Sequence, residues 1–220
     1  MNTLTKLALG LMGQLQPRAA TVGAAMPTAL PPPTREGGLP LMNALARRQS
    51  RREFASTPLP LQRLSDLLWA AAGINRAELG GRTAPSAMNA QEIELYVALP
   101  QGLFHYQPQP HALQLVADSD VRRVTGWQDF VDDAALDLIY VADHRRMALI
   151  PAAQREAYAF TAAGAMAQNV YLYCASAGLA TVVRAWFDRG ALGQAIGLGT
   201  DEQLLLAQTV GLPAVEPSLA

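Results

Sequence analysis

Six consecutive residues, Arg47-Arg48-Gln49-Ser50-Arg51-Arg52, hold four arginines and a serine. Arginine forks grip phosphate oxygens in pairs, and a serine hydroxyl adds a further donor. Each such charge-assisted hydrogen bond contributes about 1.5–3 kcal/mol. In an extended chain Arg48, Ser50 and Arg52 point to one side, and Phe54 follows to anchor the segment in the core. A solvated basic face would use the same residues; the alternation is what favours an anion site. A second segment, Thr83-Ala84-Pro85-Ser86-Ala87-Met88-Asn89-Ala90-Gln91, offers a proline-set turn, a hydroxyl and two amides two residues apart. Amides donate to and accept from a planar heterocycle, although an ordinary loop leading into a strand reads the same way. The third segment, Cys174 to Asp188, ends a long helix at Gly178 and turns extended through Val183, Arg184 and Ala185. By itself it reads as a helix cap followed by a core strand.

Familiar catalytic arrangements are missing. A nucleophile elbow fails at Ser176, because Cys174 stands where its first glycine belongs. Gly197-Leu198-Gly199 lacks a third glycine and follows no strand of a βαβ unit. No glycine-rich loop ends in the Gly-Lys-Ser or Gly-Lys-Thr that cradles a triphosphate. His105, His111 and His144 are scattered, and Cys174 is the single cysteine, so neither a metal site nor a disulfide framework is expected. Cys174 itself reads as a buried helix residue. With 17 basic and 18 acidic residues the formal charge is −1, which argues against a nucleic-acid partner.

The elements that must position the three segments are mixed. Helical spacing marks Leu41 to Gln49, Pro60 to Ala72 (stopped by Gly73), Leu192 to Ile196 and, longest, Ala152 to Ala177. On that last helix Phe160, Ala163, Ala167, Val170, Tyr171 and Cys174 share a face that Gly164, Ala165 and Ala167 keep smooth enough for another helix to approach. Ser119 to Thr125 reads as a helix capped by Ser119. Strands are expected at Ile93 to Leu99, in a hairpin of Gly102 to Tyr106 with Ala112 to Val116, at Thr181 to Val183 and at Gln203 to Val210. Leu136 to Val141 is apolar nearly throughout and suits a buried central strand. The irregular alternation points to an α+β fold with a mostly antiparallel sheet.

Residues 1–25 join one lysine, a short apolar run and small residues near 22–25, which reads as a signal peptide or a disordered arm. Cytoplasmic and exported destinations are equally open. Residues 26–40, with Pro31-Pro32-Pro33 and Gly37-Gly38, form a proline-rich linker or an arm lying over a surface. The domain proper is expected over 41–220, with no integral membrane segment.

In order and spacing, the arginine–serine–arginine run, "PSAMNAQ", "GLATVVRAWFD" and the closing "TVGLP" resemble the FMN-dependent nitroreductase superfamily, and within it the SagB/ThcOx-type branch. The likeness spans Leu41 to Pro213. It implies a nitroreductase-like sheet flanked by helices, with flavin at a homodimer interface. Arg48, Ser50 and Arg52 would hold the FMN phosphate and ribityl chain. Pro85, Ser86, Ala87, Asn89 and Gln91 would line the ring from the second subunit, and Val183, Arg184 and Ala185 would run along it, Arg184 near the carbonyl of the reduced, anionic flavin. No side chain is expected to be catalytic, because the flavin carries the chemistry. The implied reaction is ping-pong reduction of a nitroaromatic or quinone by NAD(P)H. The alternatives are dehydrogenation of a thiazoline- or oxazoline-like heterocycle and a flavin-binding module without nicotinamide-driven turnover. Met88 stands where relatives place a histidine or other polar residue, and Leu212 replaces a tyrosine. The Lys–Tyr pair of the branch's peptide dehydrogenases has no counterpart, since Lys6 is the only lysine.

Overall fold

The computed structural model describes residues 1–21 and 28–214. In chain order it comprises α1 (Thr3–Leu11), β1 (Arg18–Ala19), α2 (Leu41–Arg47), α3 (Leu61–Ala72), β2 (Ile74–Arg76), β3 (Gly81–Arg82), β4 (Ile93–Leu99), β5 (Gly102–Gln107), β6 (Ala112–Ala117), β7 (Ser119–Asp120), β8 (Leu136–Asp143), α4 (Ala152–Ala177), β9 (Ala180–Arg184), α5 (Arg189–Ile196) and β10 (Glu202–Gly211). Six strands form one sheet in the order β6-β5-β4-β8-β10-β9. Every pairing in it is antiparallel. The fold is therefore α+β, as expected. Every residue of β8 is buried, because β4 and β10 flank it and both its faces are covered.

Helix α4 lies across one face of the sheet. Ala159, Ala163, Met166, Ala167, Val170 and Cys174 point inward, and burial pushes the Cys174 thiol well above its ordinary pKa, so it stays a neutral core group. Gly178 closes the helix at φ 69, the left-handed position that costs glycine little. Gly164 and Ala165 do not lie on the core face with Ala163 and Ala167. They fall on the outer side, where a Cβ added at Gly164 would meet nothing within 4 Å. A second apolar cluster fills the other face of the sheet, between α5, the N-terminal segment and the β7 region.

One expected helix is absent. Residues 119–125 do not make a capped helix. Ser119 and Asp120 pair with β1, and the Asp120 carboxylate takes the Arg122 backbone N–H and guanidinium at 3.1, 2.9 and 2.8 Å, leaving only a 3₁₀ turn at Arg122–Thr125. The start of the chain, expected as a leader or frayed arm, packs on the domain through α1. Lys6 is fully buried, with Nζ 2.5 Å from Asp132 and 2.8 Å from the Gln128 carbonyl. The small-residue stretch 22–25 lies outside the described residues. The proline-rich stretch does lie over the surface: Leu30 is buried, and the Pro31 carbonyl and Thr34 N–H bond to Ser65 and Asp66 of α3.

Candidate functional site

The first segment begins where α2 ends. Arg48 adopts φ −59 and ψ 121, so the chain leaves the helix extended. The Arg51 N–H then donates to the Thr181 carbonyl at 2.9 Å and ties the segment to β9. Phe54, half-buried, bridges to Pro213 and sets its ring tilted against Phe130 with the centroids 5.5 Å apart. The third segment arrives along β9, the edge strand beside it.

Tyr171 of α4 joins the two. Its hydroxyl accepts the Val183 N–H at 2.9 Å and lies 2.8 Å from the Ser50 hydroxyl, while the Arg48 guanidinium sits 5.1 Å over its ring. With Tyr171 donating to Ser50, the serine keeps its own hydrogen for an incoming acceptor. Arg18, Arg122, Arg123, Arg145, Arg146 and Arg184 each face a carboxylate. Among the described residues, no ion pair of this kind engages Arg47, Arg48, Arg51 or Arg52. Guanidinium groups without carboxylates beside a free hydroxyl suit a phosphate. Tyr171 was legible only as a core-facing residue. The clue to its second role is that a buried tyrosine hydroxyl needs partners.

Arg184 does not join this cluster. Alternation along β9 turns it to the opposite face from Val183. There its guanidinium lies 2.6 Å from Asp137, 2.5 Å from the Thr125 carbonyl and 2.8 Å from the Thr209 hydroxyl, and 5.9 Å over the Phe130 ring. A Cβ at Gly126 would overlap its Nη1, so glycine is needed there. Burial pushes Asp137 up and Arg184 down, and their mutual attraction opposes both shifts. Arg184 thus fixes the end of β9 rather than facing a ligand. Beyond it, Ala185 and Trp186 are exposed before Phe187 is buried again.

The second segment is stiff. Met88, Asn89 and Gln91 all have φ near +50°, at 53, 54 and 51°. Asparagine tolerates this region; methionine and glutamine are strained there, and strain of this kind concentrates at ligand sites. Ser86 Oγ accepts the Gln91 N–H at 2.9 Å, and the Gln91 amide donates to the Gly80 carbonyl at 2.8 Å and to Asn89 at 3.1 Å. Pro85, Met88 and Asn89 are exposed. Ala87 and Met88 line a pocket of about 190 Å³ with Leu149, Pro151 and Tyr158.

Within one chain, however, the second segment stands apart from the other two. Thr83, at its start, accepts from Asn169, which is two residues and so about 200° around α4 from Tyr171. Its tip lies at Tyr158, about 20 Å down the helix from Tyr171. No group of metal-ligating side chains occurs among the described residues. No described helix is long and apolar enough to cross a membrane.

Known proteins resemble this chain in sequence and in fold. A model of the nitroreductase family matches residues 45–212. A curated protein of Methanocaldococcus jannaschii that bears a nitroreductase name is 34% identical over 159 residues, 67% of this chain and 80% of its own. A crystal structure from Ralstonia eutropha, also titled a nitroreductase, is 51% identical and superposes with a TM-score of 0.87 over 91% of this chain and 96% of its own. At 20% identity and a TM-score of 0.60, a Desulfovibrio desulfuricans structure described as a nitroreductase in complex with FMN shares the fold over 84% of this chain and 92% of its own.

Proposed function

The chain belongs to the nitroreductase family of oxidoreductases, and from that premise we propose that it binds FMN and passes two electrons, in ping-pong fashion, from NAD(P)H to a small organic acceptor such as a nitroaromatic or a quinone. The observation that carries this is the convergence of Arg48, Ser50, Tyr171 and the Val183 N–H at one edge of the sheet. The donor set suits a phosphomonoester, and the exposed backbone at Ala185 suits a flat ring passing beside it. FMN, when bound, supplies the hydride and electron chemistry. Arg48, Ser50 and Arg52 bind its phosphate and ribityl chain; the β9 end from Val183 to Ala185 borders its ring and orients it. The absence of an acid–base pair in these segments fits a reaction in which the protein binds, orients and excludes water.

Pro85, Ser86, Ala87, Asn89 and Gln91 reach the ring from a second copy of the chain. The outer face of α4 supports this. Gly164 and Ala165, both small, stand midway between Tyr158 and Tyr171. A two-fold contact of antiparallel α4 helices centred there sets the Tyr158 end of one copy, with its strained loop, beside the Tyr171 end of the other. Within the family the motifs favour the SagB/ThcOx-type branch. A lysine-assisted dehydrogenation of thiazoline-like rings is disfavoured because Lys6 is buried against Asp132.

The test is the visible spectrum of the purified protein reconstituted with FMN, before and after anaerobic NADH or NADPH. A flavin band that bleaches supports cofactor, donor and reaction class together. A band that persists keeps FMN and removes the nicotinamide donor. Failure to take up FMN at all overturns the assignment of Arg48, Ser50 and Arg52.

A further inference from the structure

Lys6 is the only lysine of the chain, and it is fully buried. It lies outside residues 45–212, the stretch that the family model matches. Burying an ammonium is costly unless its hydrogens find partners. Here three donors face three acceptors on one loop: Asp132 at 2.5 Å, the Gln128 carbonyl at 2.8 Å and the Gly126 carbonyl at 3.4 Å. Arg123 and Arg18 also approach the Asp132 carboxylate, at 3.5 and 3.8 Å, and Arg18 donates to the Asp132 carbonyl at 2.6 Å. One turn beyond Lys6, Gly10 packs so closely on Trp127 that a Cβ there would overlap the indole. Helix α1 is thus fitted to residues 126–132.

The opposite side of that loop meets the two segments that the flavin reading gives to the cofactor. Gly126 is extended, at φ −177 and ψ 156, so the carbonyls on either side of it point opposite ways. The Gly126 carbonyl turns to Lys6, and the Thr125 carbonyl takes the guanidinium of Arg184, the last residue of β9, at 2.5 Å. Four residues beyond Gly126, the Phe130 ring lies 5.9 Å from that guanidinium and 5.5 Å from the ring of Phe54, which follows the arginine run. One strip of chain therefore has α1 on one side, and on the other both the end of β9 and the segment that carries Arg48, Ser50 and Arg52.

We propose that Lys6 is a positioning residue for the flavin site: its grip on residues 126–132 sets where β9 ends and where the arginine run lies, so that docking of α1 and binding of FMN favour each other. The inference rests on the flavin reading, which supplies the ligand. Lys6 acts through the loop and not by contact with FMN. Coupling of this kind is reciprocal and changes affinity by about 5- to 150-fold.

The experiment uses the full chain. FMN affinity is read by fluorescence titration in wild type, Lys6→Met and Leu113→Ala. Leu113 is buried in β6, at the edge of the sheet opposite β9, so its truncation lowers Tm without touching the loop. Lys6→Met, folded by circular dichroism, should bind FMN about 10-fold more weakly, and Leu113→Ala within about twofold of wild type. Equal weakening in both variants makes the effect one of general stability and overturns the proposal, as does wild-type affinity in Lys6→Met. A second readout needs wild type alone and stands even where Lys6→Met does not fold. Acetylation of the single lysine, followed by peptide mass spectrometry, reports release of α1, and alkylation of the single, buried Cys174 reports global unfolding. Both rates are taken relative to the urea-unfolded protein. Lys6 should react faster than Cys174 in the apoprotein, and saturating FMN should slow it about 10-fold, the same factor by linkage. A Lys6 rate that FMN leaves unchanged, or that follows Cys174 throughout, overturns the proposal. If wild type takes up no FMN, the flavin reading and this proposal fall together; if it takes up FMN and either readout fails, only this proposal falls.

Discussion

At the scale of single residues, one side chain connects what the sequence leaves as separate segments. Tyr171 takes the Val183 N–H and faces Ser50, so the segment after α2 and strand β9 hold each other in register. Replacing Arg48 by alanine removes a guanidinium that has no carboxylate partner among the described residues, so the fold should survive. FMN affinity, read by fluorescence titration, should fall about 10- to 100-fold, the loss of one charge-assisted hydrogen bond. An affinity within twofold of wild type would place the phosphate elsewhere. Arg184 behaves in the opposite way. Arg184→Leu leaves the fully buried Asp137 without its cation and should cost about 3–5 kcal/mol of stability by denaturant unfolding. Adding Asp137→Leu should restore part of that, because burial already disfavours the lone carboxylate.

The elements were legible to different degrees, for reasons of physical chemistry. Ile93–Leu99 and Ala152–Ala177 have the predicted bounds because their periodicity and their stops are local: Pro151 opens α4 and Gly178 closes it. Residues 119–125 depart from a helix because the side chain of Asp120 competes for the backbone N–H that a helix would use, a contest that pairing with distant β1 decides. A comparable local device ends β8. Asp143 caps the 3₁₀ turn His144–Met147 by accepting the Arg145 N–H at 3.0 Å and its guanidinium at 2.7 and 2.9 Å. These hydrogen bonds hold its carboxyl below the ordinary range, against a smaller opposing effect of burial. Its contribution to stability is therefore complete above the unfolded value, about pH 4, and is lost as pH falls through the lowered folded one. Thermal melts of wild type should steepen their fall in Tm below about pH 4 relative to Asp143→Asn. Parallel curves would show that the cap carries no pH-dependent stability.

For the whole molecule, the decisive feature is that one chain holds the three segments on two sides of α4. On the proposed reading, a site made of all three draws on a second copy of the chain, seated on the smooth outer face between Tyr158 and Tyr171. Gly164→Arg tests this. In the single chain a side chain there meets open space, so the protomer should fold. In the proposed dimer it meets the partner helix, so light scattering should give a monomer mass, and FMN affinity should fall with it. A dimer with wild-type flavin affinity would move the interface elsewhere. The N-terminal segment also belongs at this scale. Its composition resembles a leader, yet Lys6 reaches Asp132 and the Gln128 carbonyl, more than a hundred positions along the chain.

Read alone, the sequence determined the fold class, the long helix and central strand, the three segments and their likeness to a flavin-binding family. Each of these depends on residue type and short-range spacing, which a linear chain displays. Tertiary structure alone decided which side chains share a site. It turned Arg184 away from Val183 across the sheet, brought Tyr171 to Val183 and Ser50, seated the first residues on the domain and set the second segment on the far side of α4. Those outcomes depend on which face of an element meets which neighbour. No local pattern encodes that choice until the strands have paired and the helix has packed.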